Sequence, residues 1–374
     1  MRFHKGIQSL NDSISVSAHA PVWLILFDPL PEIQPRSPAV AFDGLESQSM
    51  VFEQYLLQDI REQSTMDDYL GGAESIGNHS RSLACVAGRS VWLQVRVDDA
   101  AAEITLPASF KAPALTAVLQ PQIFSLSTEF FDGIPEPLSA AVSNARFVLV
   151  TVRSGGRTTE ESAATTHMAG PVERMRVADQ VLARLQALAA AARDGQTTPV
   201  WLVTGFRGVS RPLERPFDSG ADESQLHVPL WWTEPLSAGT RLQNLCGSFD
   251  LLPTLAELLR SHTGSTPSPS MEMADATVDG EAERAVSEPV SLLSAQLQGS
   301  RGGDRLLRLH HDAWEGLRTS QYFLVQPLQG LDEENADAGE FSKQQLYLKP
   351  EDYWNVNNSI VSFAEIAREM SDGV

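Results

Sequence analysis

Apolar residues along this chain fall into short unbroken runs, separated by stretches with helical spacing. Pro21-Val22-Trp23-Leu24-Ile25-Leu26-Phe27-Asp28 is apolar at successive positions and closes on an acid. A strand apolar on both faces belongs inside a parallel sheet that is covered on both sides. Residues 90–97, 146–152 and 199–205 share this character, and residues 227–232 add His-Val-Pro-Leu-Trp-Trp. Residues 171–193 form the clearest helix. Met175, Ala178, Val181, Leu182, Leu185, Leu188 and Ala189 recur there at steps of three and four, and Pro171 stands where a first-turn proline is tolerated. In residues 43–60, the spacing of Leu45, Met50, Phe52, Tyr55, Leu56 and Ile60 predicts a helix and a following turn. Buried strands alternating with helices predict an α/β fold, with a mostly parallel central sheet and helices on both faces.

The pattern changes after residue 260. Ser, Thr, Pro, Gly, Glu and Asp dominate residues 261–289, which predicts a flexible linker, and residues 332–340 form a second polar loop. Residues 305–311, 321–326 and 344–348 are short, apolar or alternating, and bounded by turn residues, so they predict a small antiparallel sheet. Residues 359–370 predict a closing helix with Ile360, Phe363, Ile366 and Ala367 on one side. Residues 1–20 are polar and unpatterned, a loose arm. The predicted organisation is an arm (1–20), an α/β core (21–260), a linker (261–290) and a small C-terminal α+β subdomain (291–374).

Composition narrows the function. The 374 residues, 42% of them hydrophobic, suffice for one large domain with a smaller appendage. A net charge of -20, from 28 basic and 48 acidic residues, repels nucleic acid and anionic membrane surfaces and removes both as partners. The apolar run Val22 to Phe27 is too short for a membrane span or a signal-peptide core, so the reading is cytoplasmic. Cys85 and Cys246 cannot staple a chain of this size and lack zinc-site spacing; they read as reduced thiols.

Two blocks carry a family resemblance. Leu226-His227-Val228-Pro229-Leu230-Trp231-Trp232 is followed, after Gly239-Thr240-Arg241, by Phe249-Asp250-Leu251-Leu252-Pro253-Thr254-Leu255. This order resembles the sulfatase branch of the alkaline phosphatase superfamily. Other segments follow the family order. Phe42-Asp43-Gly44-Leu45 resembles its Leu-Asp-x-Leu helix start, and residues 177–182 its helix with an aspartate before a Leu-rich end. Leu317-Arg318-Thr319 is similar to Ile-Arg-Thr in its C-terminal strand. Leu346-Tyr347-Leu348-Lys349-Pro350-Glu351-Asp352 is similar to its closing Leu-Tyr-Asp-Leu block. The resemblance implies an alkaline-phosphatase-like sheet and, in an active member, sulfate-ester hydrolysis assisted by Ca²⁺ or Mg²⁺ on hard oxygen ligands.

The same comparison implies that the chemistry is eroded. Where the family ends its first strand in two adjacent acids, this chain has Asp28 and then Pro29. Where the family has a second ligand pair after its fourth buried strand, this chain has Gly205-Phe206-Arg207, which replaces a carboxylate by a cation. Asp28 is therefore the one metal-ligand candidate. Cys85-Val86-Ala87-Gly88-Arg89 matches the looser Cys-x-Ala-x-Arg form of the nucleophile motif, but the strand 90–97 follows at once, so Ala87-Gly88-Arg89 reads as a turn on Gly88. Arg153 stands near the family's histidine place, Arg215 is the candidate for its lysine, and His227 stands where the family usually has an arginine or another polar residue. Arg207 and Arg215 are the candidate anion-binding residues. The aromatic residues Trp231, Trp232 and Trp354 are candidates for recognition. No phosphate-binding glycine loop, dinucleotide fingerprint, serine elbow or Cys-x-x-Cys is present.

These readings leave a non-catalytic sulfatase-like protein without cofactor, binding a protein or a small anionic ligand. The alternative is a divergent metal-dependent hydrolase of sulfuric or phosphoric esters that uses Asp28, with or without Cys85. A third reading is an unrelated α/β protein, which a different sheet order would reveal.

Overall fold

The computed structural model describes residues 20–28, 30, 39–58, 79–80, 83–97, 113–126, 135–154, 171–192, 198–206, 208, 223, 226–233, 238–261, 289–293, 305–310, 314–327, 344–349, 351–352, 355 and 357–372. The strands are β1 (Val22–Asp28), β2 (Ser49–Leu56), β3 (Ser90–Val97), β4 (Gln122–Leu126), β5 (Phe147–Ser154), β6 (Val200–Gly205), β7 (Leu230–Thr233), β8 (Arg241–Gly247), β9 (Leu307–His310), β10 (Trp314–Arg318), β11 (Tyr322–Pro327) and β12 (Gln345–Leu348). The helices are α1 (Val40–Ser47), α2 (Pro113–Leu119), α3 (Glu136–Asn144), α4 (Pro171–Ala191), α5 (Leu251–Ser261) and α6 (Ala364–Asp372). Residues 1–19 of the arm, 262–288 of the linker and the loop 332–340 lie outside the described residues.

Eight strands form one sheet in the order β4-β3-β5-β1-β6-β7-β2-β8, and β9 to β12 form a separate antiparallel sheet. Among the described strands of the large sheet, β7 alone runs against the others. This is the mostly parallel sheet that the apolar runs predict. β1 takes the interior place because it has nothing polar to offer water before Asp28, and Val22, Leu24, Ile25 and Leu26 are wholly buried. Trp23 packs on Trp201 with ring centroids 4.9 Å apart, and Phe42 bridges Phe27 and Trp231 at 5.7 and 5.4 Å.

One expectation fails. The helix predicted across 43–60 stops at Ser47, and Ser49–Leu56 is β2. Seven of its eight positions are buried, because it lies inside the sheet between β7 and β8. A strand buried on both faces cannot be told from a helix by apolar spacing alone. Its β-branched and aromatic Val51, Phe52 and Tyr55 were the better guide. Trp231 and Trp232, candidates for recognition, are buried too, with Trp232 stacked on Phe52 at 6.4 Å; Trp354 lies outside the described residues.

Long-range polar contacts lock the elements together. The N-terminal turn of α1 has no side-chain cap of its own. Asp179 of α4 supplies one, its Oδ1 accepting from the amides of Ala41 and Phe42 at 2.9 and 3.0 Å. A carboxylate there satisfies two orphan donors and complements the helix dipole. Asp250, at the start of α5, is wholly buried. It receives two hydrogen bonds from Arg305 at 2.7 and 3.0 Å, and others from the amides of Gly247 and Val290, both at 2.8 Å. The Asp of the Asp-Leu-x-Pro-Thr-Leu block therefore anchors the chain that leads into the small sheet. One face of that sheet, including Leu307, Leu309, Trp314, Phe323 and Tyr347, shares the main core.

We expect Asp179→Ala to cost roughly 1.5–3 kcal/mol, the range for hydrogen bonds to a charged group. Asp179→Asn, which keeps an acceptor, should cost less than half as much. Urea unfolding of the three proteins checks both.

Candidate functional site

Register in the large sheet decides which charges meet. β1 pairs in parallel with β5, Asp28 opposite Arg153, and β5 pairs in parallel with β3, Arg153 opposite Arg96. Paired residues of neighbouring strands project from the same face of a sheet, and adjacent strands are about 4.8 Å apart. Asp28, Arg153 and Arg96 thus stand in a row at the carboxyl edge, all half-buried. One step into the sheet, the same face carries Leu26, Thr151 and Gln94. Thr151 and Gln94 are buried; Thr151 accepts from Trp92 Nε1 at 3.1 Å, and Gln94 accepts from Ser125 Oγ at 3.3 Å. The face therefore turns from apolar to polar to charged as it approaches the edge.

On the other side of β1, Phe27 pairs with Gly205 of β6, and Phe206 donates its amide to Phe27 O at 2.7 Å. Arg207 and Arg215 lie outside the described residues. Sequence reasoning put the arginine facing Asp28 at position 207; the described neighbour in register is Arg153. A signal for it was present. The segments Leu-Ile-Leu-Phe-Asp, Leu-Gln-Val-Arg and Leu-Val-Thr-Val-Arg end three buried strands, and the last two share Val-Arg at the same end.

Cys85 does not join this row. It lies in the turn before β3, whose first residue Ser90 is level with Phe147 and, through it, with Val22 at the start of β1. Six residues of parallel strand, at about 3.3 Å each, put roughly 20 Å between Cys85 and Asp28. The half-buried Cys85 Sγ instead faces Leu259 O at 3.6 Å, near the end of α5. Burial pushes its thiol above the ordinary value, away from thiolate. Gly88 has φ +70, the left-handed turn into β3 that the sequence predicts. The separation keeps Asp28 and Cys85 from acting together on one small substrate.

No family model matches the sequence, and no curated protein does so either. Solved structures do match, at low identity. The putative sulfatase yidJ from Bacteroides fragilis is 11% identical, with a TM-score of 0.58 over 94% of each chain. Ps i-CgsB, solved with k-i-k-neocarrahexaose, is 12% identical, with a TM-score of 0.59 over 94% of this chain and 91% of that one. The phosphonate monoester hydrolase of Agrobacterium radiobacter is 11% identical, with a TM-score of 0.51 over 94% of each chain. The chain therefore has a sulfatase-like fold. Within that fold, the described carboxyl edge offers one strand-end acid beside two arginines. Among the described residues, no group of three or more His, Cys, Asp or Glu side chains is placed to hold a metal ion. No described helix is long and apolar enough to cross a membrane.

A second charged cluster lies where β7 begins, and sequence reasoning missed its centre, Glu223. The fully buried Glu223 carboxylate meets Arg318 Nε at 3.1 Å and Lys349 Nζ at 2.5 Å. Arg318 and Lys349 are themselves buried, and they come from β10 and from the residue after β12. The amide of His227 donates to Glu223 O at 2.8 Å, while its Nε2 donates to Glu53 O, at the place where the β2 register shifts. His227 is thus structural, pinned between the sheet and Glu223. The available signal was the Asp222-Glu223 pair, with Glu223 four residues before the histidine that leads into β7.

Burial alone would raise the Glu223 carboxyl, but Arg318 and Lys349 outweigh it and hold the pKa at about 2, against an ordinary 4.5. A folded value below the unfolded one stabilises the protein above the unfolded pKa and is lost as pH falls through the folded pKa. Burial also lowers His227, which favours its unfolded, protonated form below its ordinary value of 6.5. Both groups make acid destabilising. We expect stability to fall between pH 6.5 and about 2, and Glu223→Gln to flatten the part below pH 4.5. At neutral pH, Glu223→Ala should cost about 3–5 kcal/mol, because it strands two buried cations. Denaturant unfolding across this pH range checks both expectations.

Proposed function

We propose that this chain is a non-catalytic protein of sulfatase-like fold that uses the scaffold for binding. The observation that carries the reading is the register of Asp28 with Arg153. Sulfate-ester hydrolysis on this fold needs a divalent cation to draw charge off the sulfuryl group. At about 5 Å and an effective dielectric of about 20, such an ion gains about 7 kcal/mol from one carboxylate and loses as much to one guanidinium at equal distance. Arg153 offsets Asp28, and Arg96 adds a second repulsion one strand further out. The described donor set does not suit Ca²⁺ or Mg²⁺. The position of Cys85, on the far edge of the sheet, supports the same reading.

The test is metal content together with turnover. Protein dialysed against Ca²⁺ and Mg²⁺ should retain less than one equivalent of metal. It should leave p-nitrophenyl sulfate, p-nitrophenyl phosphate and an aryl phosphonate monoester unhydrolysed. The Cys85 peptide should keep the mass of a plain thiol. Stoichiometric metal with chelator-sensitive hydrolysis that disappears in Asp28→Ala would establish the divergent ester hydrolase instead.

A further inference from the structure

We propose that the cavity between α3 and the first residues of β3 and β4 binds a small organic carboxylate with an apolar body. The site lies at the amino edge of the large sheet, the end opposite Asp28. It goes beyond the non-catalytic reading and stands whether or not the carboxyl edge holds a metal.

Topology and side-chain size leave the space. The chain runs outward from β3 through α2 to β4, then back past β3 through α3 to β5. Right-handed crossovers in opposite directions pass over opposite faces of the sheet, so α3 lies on the face away from α2. Leu138 and Val142 are the buried side chains of α3. Pro137, Ala140, Ala141 and Asn144 follow one another at helical steps on an adjoining face, and all four line a cavity of about 280 Å³. Proline and alanine side chains are too short to fill the space beside Val91 and Gln122, which pair at the start of β3 and β4. Gly88, in the turn before β3, forms another wall, and a Cβ built on it would meet no atom within 4 Å. Ligand pockets begin at about 300 Å³, so this one suits a small acid and not a dinucleotide or an oligosaccharide.

The polar groups select the ligand. Among the described residues, Arg89 alone brings a charge to the cavity. Its Nη2 donates to Cys85 O at 3.1 Å, and its other donors have no described partner. One guanidinium fork matches the two oxygens of one carboxylate. The carboxyl-terminal turn of α3 opposes an anion, but with about half an elementary charge against the full charge of Arg89. The exposed Gln122 adds an amide donor. Asn144 gives Nδ2 to Ala140 O at 2.9 Å, which leaves its Oδ1 to accept from a ligand hydroxyl or N–H. Pro137, Ala140, Ala141 and Val91 supply the apolar contact. In a chain of net charge -20, a cavity lined by an arginine and no described acid is a local exception.

The experiment is a ligand-observed NMR titration of the full chain in a buffer without carboxylates. Benzoate, 4-hydroxybenzoate, indole-3-acetate and hexanoate are titrated, each beside its neutral primary amide. The expected result is saturable binding of at least one carboxylate, with its amide at least tenfold weaker. Arg89→Gln removes the charge, and Ala140→Leu fills the cavity from an exposed helix position; each should weaken binding at least tenfold. Preference among the four acids names the body as aromatic or aliphatic, and any order supports the site. Circular dichroism checks that each variant is folded; where Arg89→Gln is not, the amide comparison carries the charge arm. Absence of saturable binding by all four acids, equal binding of acid and amide, or binding that either substitution in a folded protein leaves unchanged overturns the proposal. Metal retention with ester hydrolysis would overturn the non-catalytic reading instead and leave this site standing.

Discussion

Parallel pairing around β1 is the constraint on which the rest depends. β1 is apolar on both faces, so it can lie only between two strands and beneath helices, and β5 and β6 take those places. Register in such a sheet is strongly specified, because a slip of one residue would turn every buried side chain to the opposite face. Once Val22 is set against Phe147, Asp28 must stand against Arg153, and Arg153 against Arg96. The charge row at the carboxyl edge is thus a consequence of core packing several residues below it. The same register holds Cys85 at the opposite edge.

A second constraint joins the small sheet to the large one. Asp250 with Arg305, and Glu223 with Arg318 and Lys349, tie the C-terminal strands to α5 and to the start of β7. Buried ion pairs of this kind add little net stability over apolar packing, but they tolerate the loss of one partner badly. Their effect here is positional. They fix where β9 to β12 sit against a core that hydrophobic contact alone would hold less specifically. The amide of His310, on β9, adds a hydrogen bond to Gln58 O at 2.6 Å, just beyond β2.

Much of this was legible in the sequence, for identifiable reasons. Strands that are apolar on both faces, such as 22–28 and 147–154, announce an interior parallel sheet without help from their neighbours. The Val-Pro-Leu and Pro-Thr-Leu blocks gave the family resemblance that the sulfatase-like fold bears out. β2 was misread because burial on both faces removes the period of two. The edge strand β4, the helices α2 and α3, and β8 span five to nine residues each, too few for their apolar spacing to separate helix from strand. The charged row was hidden for a different cause. Asp28, Arg96 and Arg153 are far apart in the chain, and only the strand order β3-β5-β1 brings them together. Glu223 was hidden likewise, since its partners lie about a hundred residues on.

The central claim is that the register of Arg153 against Asp28 leaves the carboxyl edge unsuited to a divalent cation. Anomalous diffraction from crystals soaked in manganese tests it most directly. The account predicts no manganese peak at Asp28. A manganese ion coordinated by Asp28 would contradict it.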